Sequence, residues 1–399
     1  MNPVAAYLIL NEEQQQRRPR RWWVRPGRDR ERSEFKNLPQ LRTDPEAFFR
    51  YTRMSISSFD ELLSLLLPEI EKQDNNYRSS ISAEERLIVT LRCLATGCTF
   101  RALSVSFGMA DNTIGGIVHS VCSAIWNILQ PMCLPIPAQE TWINNAAAFT
   151  RLWNYPMCVG AVDGKHVRIR KPGRAGSMYY NYKDYNSIVL QAVVDANKMF
   201  TIIDVGDYGK NSDGSVLRFS SFGRALQRGT LSLPPAGIIE GIERPIPHHF
   251  ISDEAYPLSE NLMRPYPLRS LTNRTRVFNA RLSRARKTVE CAFGILSLKW
   301  EIFLRPLVCD VERAKLIVRA ACVLHNFIRS RDGAGYDGGT LDSGDEFLNE
   351  NGAFVPLPHP THIGRAGEQA KEIRDALADY FMSDNGRLNW LNEIAMANV

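Results

Sequence analysis

The feature that most constrains this chain is the stretch from Met157 to Arg170, MCVGAVDGKHVRIR. Its first part, Met157 to Val162, is an apolar run too short for a helix and reads as a buried β-strand. The run leads directly into Asp163 and then Gly164. A carboxylate at the end of a buried strand is costly unless something partners it. Two solutions are available: Asp163 caps an Asp-Gly bend, or it ligates a metal ion. Taken alone, the dipeptide favours the bend.

A chain of 399 residues has room for two domains, or for one large domain with extensions. No segment approaches the roughly 18 apolar residues of a membrane span. The N-terminus has a short apolar patch without the basic lead-in and cleavage site of a signal peptide. The eight cysteines are scattered and form no CxxC pair, which argues against a zinc site or a disulfide framework. Buried thiols in a reducing compartment are the simpler expectation. The net charge of +6 is mild, but its distribution is not. Arg17, Arg18, Arg20, Arg21, Arg25, Arg28, Arg30 and Arg32 crowd around Trp22 and Trp23. Such a run suits nuclear import or phosphate contact; the alternative is a solvated basic arm. Two adjacent tryptophans are expensive to leave in water, which weighs against that alternative.

The first third reads as helical. Asp44-Pro45-Glu46 is a helix start. Phe59, Leu62, Leu63, Leu66 and Leu67 form a stripe that should end at Pro68, and Ser82 to Glu85 has capping-box spacing. Two short helical patterns then flank a turn at Phe107 to Asp111, a helix-turn-helix-like arrangement. In that reading Asn112 and Thr113 meet DNA; a plain helical bundle fits the same pattern. Prolines at 131, 135 and 137 suggest a domain boundary near 130 to 140.

After Asp163 come two β-branched, apolar strands, Ser187 to Asp195 and Met199 to Val205, joined by a tight turn. With the Asp163 strand they make an antiparallel meander. A helix is expected over Val216 to Gln227. A short strand at Phe250 and Ile251 then runs into a second acid, Asp253. A helix from about Asn279 to Trp300 follows, with Val289, Ala292, Phe293, Leu296 and Trp300 on its apolar face and Glu290 at the edge of that face. Another helix is expected over Val311 to Arg331. Acids on two strand ends and one helix, in this order of elements, describe the ribonuclease-H-like arrangement, a mixed sheet flanked by helices. Carboxylates are hard oxygen ligands suited to Mg²⁺ or Mn²⁺. Two such ions about 4 Å apart can drive in-line phosphoryl displacement.

Four motifs sharpen this: GAVDGKHV, ISDEAYPLSENLMRPYP, FNARLSRARKTVECAFGIL and CVLHNFI, in that order. The chain resembles the Harbinger (PIF/Harbinger) transposases and their domesticated nuclease relatives, over most of its length. WWVRP, RMSISSF, LRCLATG and the closing ADYFMSDNGRLNW resemble the same family's ends. The resemblance implies a DDE nuclease domain of ribonuclease-H-like fold, with Asp163, Asp253 and Glu290 as catalytic and metal-binding acids. It implies a divalent cofactor, Mg²⁺ or Mn²⁺, and DNA as substrate. It further implies a Myb/SANT-like partner, and a homo-oligomer is compatible with it; the basic run and the lack of a membrane-length apolar segment add the expectation of a nuclear location and no membrane association. It moves the reading of Asp163 from bend to metal ligand.

The expected organisation is a basic, Trp-containing arm (1–40), a helix-turn-helix-like domain (41–135), the nuclease domain (136–331), a flexible loop (332–368) and a C-terminal helix (369–399). Asp213, in a turn-like NSDGS string, competes with Asp253 as the second acid. Arg284, Lys287 and His166 are candidate DNA contacts, each with a structural alternative. His325, in the LHN string, reads as a core hydrogen-bonder, and Tyr179, Tyr180 and Tyr182 as loop packing. Two functions remain: a metal-dependent endonuclease, or a domesticated protein that binds DNA or chromatin and has lost catalysis.

Overall fold

The computed structural model describes residues 33–74, 80–173, 175–333, 354–356 and 367–389. The basic arm around Trp22 and Trp23, and most of the expected loop at 332–368, lie outside these residues. Short helical turns at Glu34–Asn37 and Leu38–Leu41 lead into the longer helices α1 (Pro45–Thr52), α2 (Ile56–Ile70), α3 (Ala83–Thr96), α4 (Phe100–Ser106), α5 (Asp111–Cys133) and α6 (Gln139–Trp153). Three strands follow, β1 (Cys158–Arg168), β2 (Ser187–Val194) and β3 (Phe200–Tyr208). Next come α7 (Asp213–Phe219), α8 (Ser221–Arg228), β4 (His249–Ile251) and β5 (Leu262–Met263). The chain continues through α9 (Asn273–Lys299), α10 (Val311–Asp332), β6 (Phe354–Pro356) and α11 (Glu368–Met382).

The sheet is mixed, in the order β3-β2-β1-β4-β5, and helices flank it. The first three strands are the expected antiparallel meander, while β4 runs parallel to β1 and β5 parallel to β4. The β2–β3 turn is closed by Asp195, whose Oδ1 accepts from the N–H groups of Asn197 and Met199, both at 2.8 Å. One sheet face, carrying Ala161 and Val167, joins the large core beneath α9 and α10. The other, carrying Val162 and Val193, packs with Trp142, Phe222 and Phe250.

Several boundaries depart from expectation. The strand does not stop at Asp163 but runs on to Arg168, because Gly164 to Arg168 continue to pair with β2. The Asp-Gly bend is therefore ruled out. Pro68 does not end α2: the helix runs two residues past it despite the lost N–H, and buried Ile70 anchors the last turn. The single helix expected over Val216 to Gln227 is two. Ser220 breaks it by capping α8, its Oγ accepting from Gly223 N–H at 2.9 Å. Helix α9 starts six residues earlier than read, at a reciprocal Thr272–Thr275 capping box that the S/T-x-x-E pattern does not describe. The span read as loop contributes β6, antiparallel to β1.

The helices of the first third do not bury a core of their own. One hydrophobic cluster runs from Leu38 through α3, α5 and the sheet to Phe381 of α11. Helix α5 packs along α10, and Asp332 at the end of α10 accepts from Ser55 N–H (2.9 Å), Ser55 Oγ (2.7 Å) and Ser58 Oγ (2.6 Å) at the start of α2. Caps hold the outer helices. The Asp44 carboxylate accepts from the N–H groups of Glu46 and Ala47 at 3.1 and 3.0 Å. Asp44→Ala is therefore expected to lower unfolding stability by about 1 kcal/mol in urea titrations, without changing activity.

Candidate active site

Strand β1 is flanked on one edge by two different partners. Its first part, Cys158 to Ala161, pairs with β4, and its later part, Lys165 to Val167, pairs with β6. Among the described residues neither partner reaches 162–164. Asp163 lies at this fork, 3% exposed. Asp253 lies two residues beyond the end of β4, where that strand leaves β1. Its Oδ1 accepts from Ala255 N–H at 3.0 Å, which orients the carboxylate. Helix α9 packs across both strands and carries Glu290, which is half-buried.

Two cations sit among these acids. Side chains alternate along a strand, so Lys165 shares the face of Asp163. Its Nζ is 2.9 Å from Asp163 Oδ2 and 6.0 Å from the ring centre of Phe293 on α9. Gly164 N–H donates to Asp163 Oδ1 at 2.8 Å, while buried Oδ2 accepts no hydrogen bond, its contact with Lys165 being ionic only. Arg286, one turn before Glu290, reaches Glu290 Oε1 at 2.5 Å. Burial pulls the Arg286 guanidinium down, but the charges of Glu290, Asp163 and Asp253 outweigh it and hold its pKa above the ordinary arginine value. The three acids come from three separate elements, β1, the segment after β4, and α9, which packs across both strands. Neither Lys165 nor Arg286 was picked out from sequence, although strand period 2 and helix spacing i, i+4 both place them beside an acid.

The donor set suits a hard divalent cation: three carboxylates, one with a buried oxygen that accepts no hydrogen bond. Among the described residues, however, no three His, Cys, Asp or Glu side chains stand close enough together to hold one ion. The carboxylates of Asp163 and Glu290 are turned onto Lys165 and Arg286 instead.

The other candidates fall elsewhere. His166 points to the opposite sheet face from Asp163, buried, with Nδ1 2.9 Å from Ser187 Oγ. It is a structural residue and does not line the acids. Arg284 donates to the Trp153 carbonyl at 3.2 Å and lies on the side of α9 away from Arg286. It braces α6 and is not poised over the acids. Lys287 is exposed, close in rotation to Glu290. Asp213 opens α7, whose Val216 packs on Val189, on the sheet face opposite Asp163. Tyr179 packs edge-on against Tyr208 with ring centres 5.2 Å apart, whereas Tyr180 and Tyr182 are exposed. His325 is the core hydrogen-bonder expected, with Nε2 2.9 Å from the Lys198 carbonyl.

Burial lowers the pKa of His166 and His249 to about 4 and of His325 to about 3. A neutral buried imidazole binds its proton less readily than the unfolded chain, whose histidines titrate near 6.5. Stability is therefore full above that value and falls as pH drops from about 6.5 toward 4. The melting temperature is expected to be lower at pH 5 than at pH 7.5. The ring-proton NMR signals of these three histidines should show no titration between pH 8 and 5.

Residues 162–326, spanning all three acids, match the DDE superfamily endonuclease family, and this span is a domain of that family. The chain is 25% identical over 355 residues to the Arabidopsis thaliana protein ALP1-like, covering 86% of this chain and 83% of that one. It is 24% identical over 361 residues to the A. thaliana protein Antagonist of Like Heterochromatin Protein 1, covering 86% of each. It is 23% identical over 273 residues to HARBI1 of Rattus norvegicus, a protein named as a candidate nuclease, covering 66% of this chain and 72% of that one. No solved structure matches the chain.

Proposed function

We propose that this chain is a divalent-metal-dependent DNA endonuclease of ribonuclease-H-like fold, with Asp163, Asp253 and Glu290 as its metal-binding acids. The observation that carries this reading is where the fold puts the three acids: Asp163 where β4 and β6 part on β1, Asp253 two residues past the end of β4, and Glu290 on α9, which packs across both strands. The strand order, with an antiparallel meander followed by two parallel strands, supports the fold assignment. Bound Mg²⁺ or Mn²⁺ supplies the nucleophile-activating and leaving-group-stabilising charge of phosphodiester cleavage. The chain's own part is positional. Gly164 N–H and the rigid central strand fix Asp163, and the Ala255 N–H fixes Asp253. On this reading the protein acts in the nucleus with a Myb/SANT-like partner. The exposed start of α5, with Asn112 and Thr113, serves as an additional DNA contact in the helix-turn-helix manner.

The capture of Asp163 and Glu290 by side-chain cations favours a second reading, a catalytically silent protein bound to DNA or chromatin. A nicking assay on supercoiled DNA and on inverted-repeat ends, with Mg²⁺, Mn²⁺ or EDTA, separates the two. Metal-dependent nicking by the full chain supports the endonuclease. Its absence on every substrate, at protein concentrations that saturate DNA binding, supports the silent scaffold.

A further inference from the structure

We infer that Lys165 and Arg286 are built-in counter-ions that occupy the acid cluster when no metal is bound and must be displaced for a divalent cation to load. This rests on the proposed metal-binding role of the three acids. The argument begins with cost. Asp163 is 3% exposed and Glu290 half-buried, and a carboxylate taken out of water is costly unless a cation partners it. The fold supplies two. Lys165 is placed by strand periodicity on the face of Asp163, and its side chain is only 13% exposed. Arg286 is placed one helical turn from Glu290, its own side chain 20% exposed. Two cations against three acids leave the cluster close to neutral.

The two cations hold the acids differently from a metal. The Lys165 ammonium lies 2.9 Å from Asp163 Oδ2 as an ion pair with a single oxygen, and its flexible stem lets it move off. The guanidinium of Arg286 cannot shed its proton near neutral pH, so it can leave only by swinging away. Its long side chain, next to half-exposed Glu290, permits this. Loading is therefore an exchange of cations rather than the filling of a vacant, negatively charged hole. Lys165 and Arg286 act through the acids and are positioning residues.

The test measures Mn²⁺ affinity of the full chain by electron paramagnetic resonance of unbound Mn²⁺, together with the melting temperature of the metal-free protein. Arg286→Gln is expected to bind Mn²⁺ at least about tenfold more tightly than wild type, because a unit charge a few ångströms from the ion is removed. Its metal-free melting temperature is expected to fall. Lys165→Met should behave alike at the Asp163 side, giving a second reading if the first variant folds poorly. Arg286→Lys, which keeps the charge, should stay near the wild-type affinity. If wild type binds Mn²⁺ and both neutral variants bind it equally or more weakly, the counter-ion role is overturned while the metal-binding acids stand. If no variant binds Mn²⁺ at millimolar concentration, the metal-binding reading of the acids is overturned and this inference with it.

Discussion

Asp163→Asn is expected to lower metal-dependent nicking at least about 10³-fold, a loss of several kcal/mol of transition-state stabilisation. Asparagine keeps the shape of the side chain and the oxygen that accepts from Gly164 N–H at 2.8 Å. It loses the charge that would hold a cation, and it leaves Lys165 without its partner at 2.9 Å. The fold should persist, because β1 is held on both edges by β2, β4 and β6. Circular dichroism on the same preparation checks this. Asp253→Asn and Glu290→Gln should have effects of the same order. Glu254→Gln, at an exposed residue in the turn after β4, should stay within about twofold of wild type, since its side chain already faces solvent. Nicking by Asp163→Asn at the wild-type rate would move the chemistry away from this cluster.

Asn326→Leu is expected to cost about 3 kcal/mol or more of unfolding stability. The Asn326 side chain serves as a strand partner in miniature. Its Oδ1 accepts from Phe200 N–H at 2.9 Å, and its Nδ2 donates to the carbonyls of Phe200 and Cys133, both at 2.7 Å. It is 2% exposed, so a leucine of similar size would leave three backbone groups without partners. Each such group costs about 1–3 kcal/mol, against a total stability of about 5–15 kcal/mol for a typical domain. His325 on one side and Arg329 on the other hold the carbonyls of Lys198 and Asn197, at 2.9 and 2.8 Å. The LHN string is thus a clamp from α10 onto the β2–β3 turn. Urea titration by tryptophan fluorescence measures the loss, and a shift below about 1 kcal/mol would refute the clamp.

Much of this was legible in one dimension. The meander, the two flanking acids, and the long helices α9 and α10 all carry local signatures: β-branched runs, turn residues and apolar periodicity. Alternation along β1 was also readable. It separates His166 from Asp163 and joins Lys165 to it, and a reading that stopped the strand at Asp163 missed both. The late start of the α9 pattern was a matter of chemistry, since Thr272 and Thr275 cap each other in a way the usual acidic signature does not describe.

The amino-acid sequence by itself determined which carboxylates are available and on which kind of element each sits, because hydrophobic period and capping act over a few residues. Only the tertiary structure decided that these acids face two cations, that β4 and β6 part at Asp163, and that the first helices share the core of the sheet. Those outcomes depend on contacts between residues far apart in the chain, such as Asp332 with Ser55 and Ala161 with Ile251, and no local pattern encodes them.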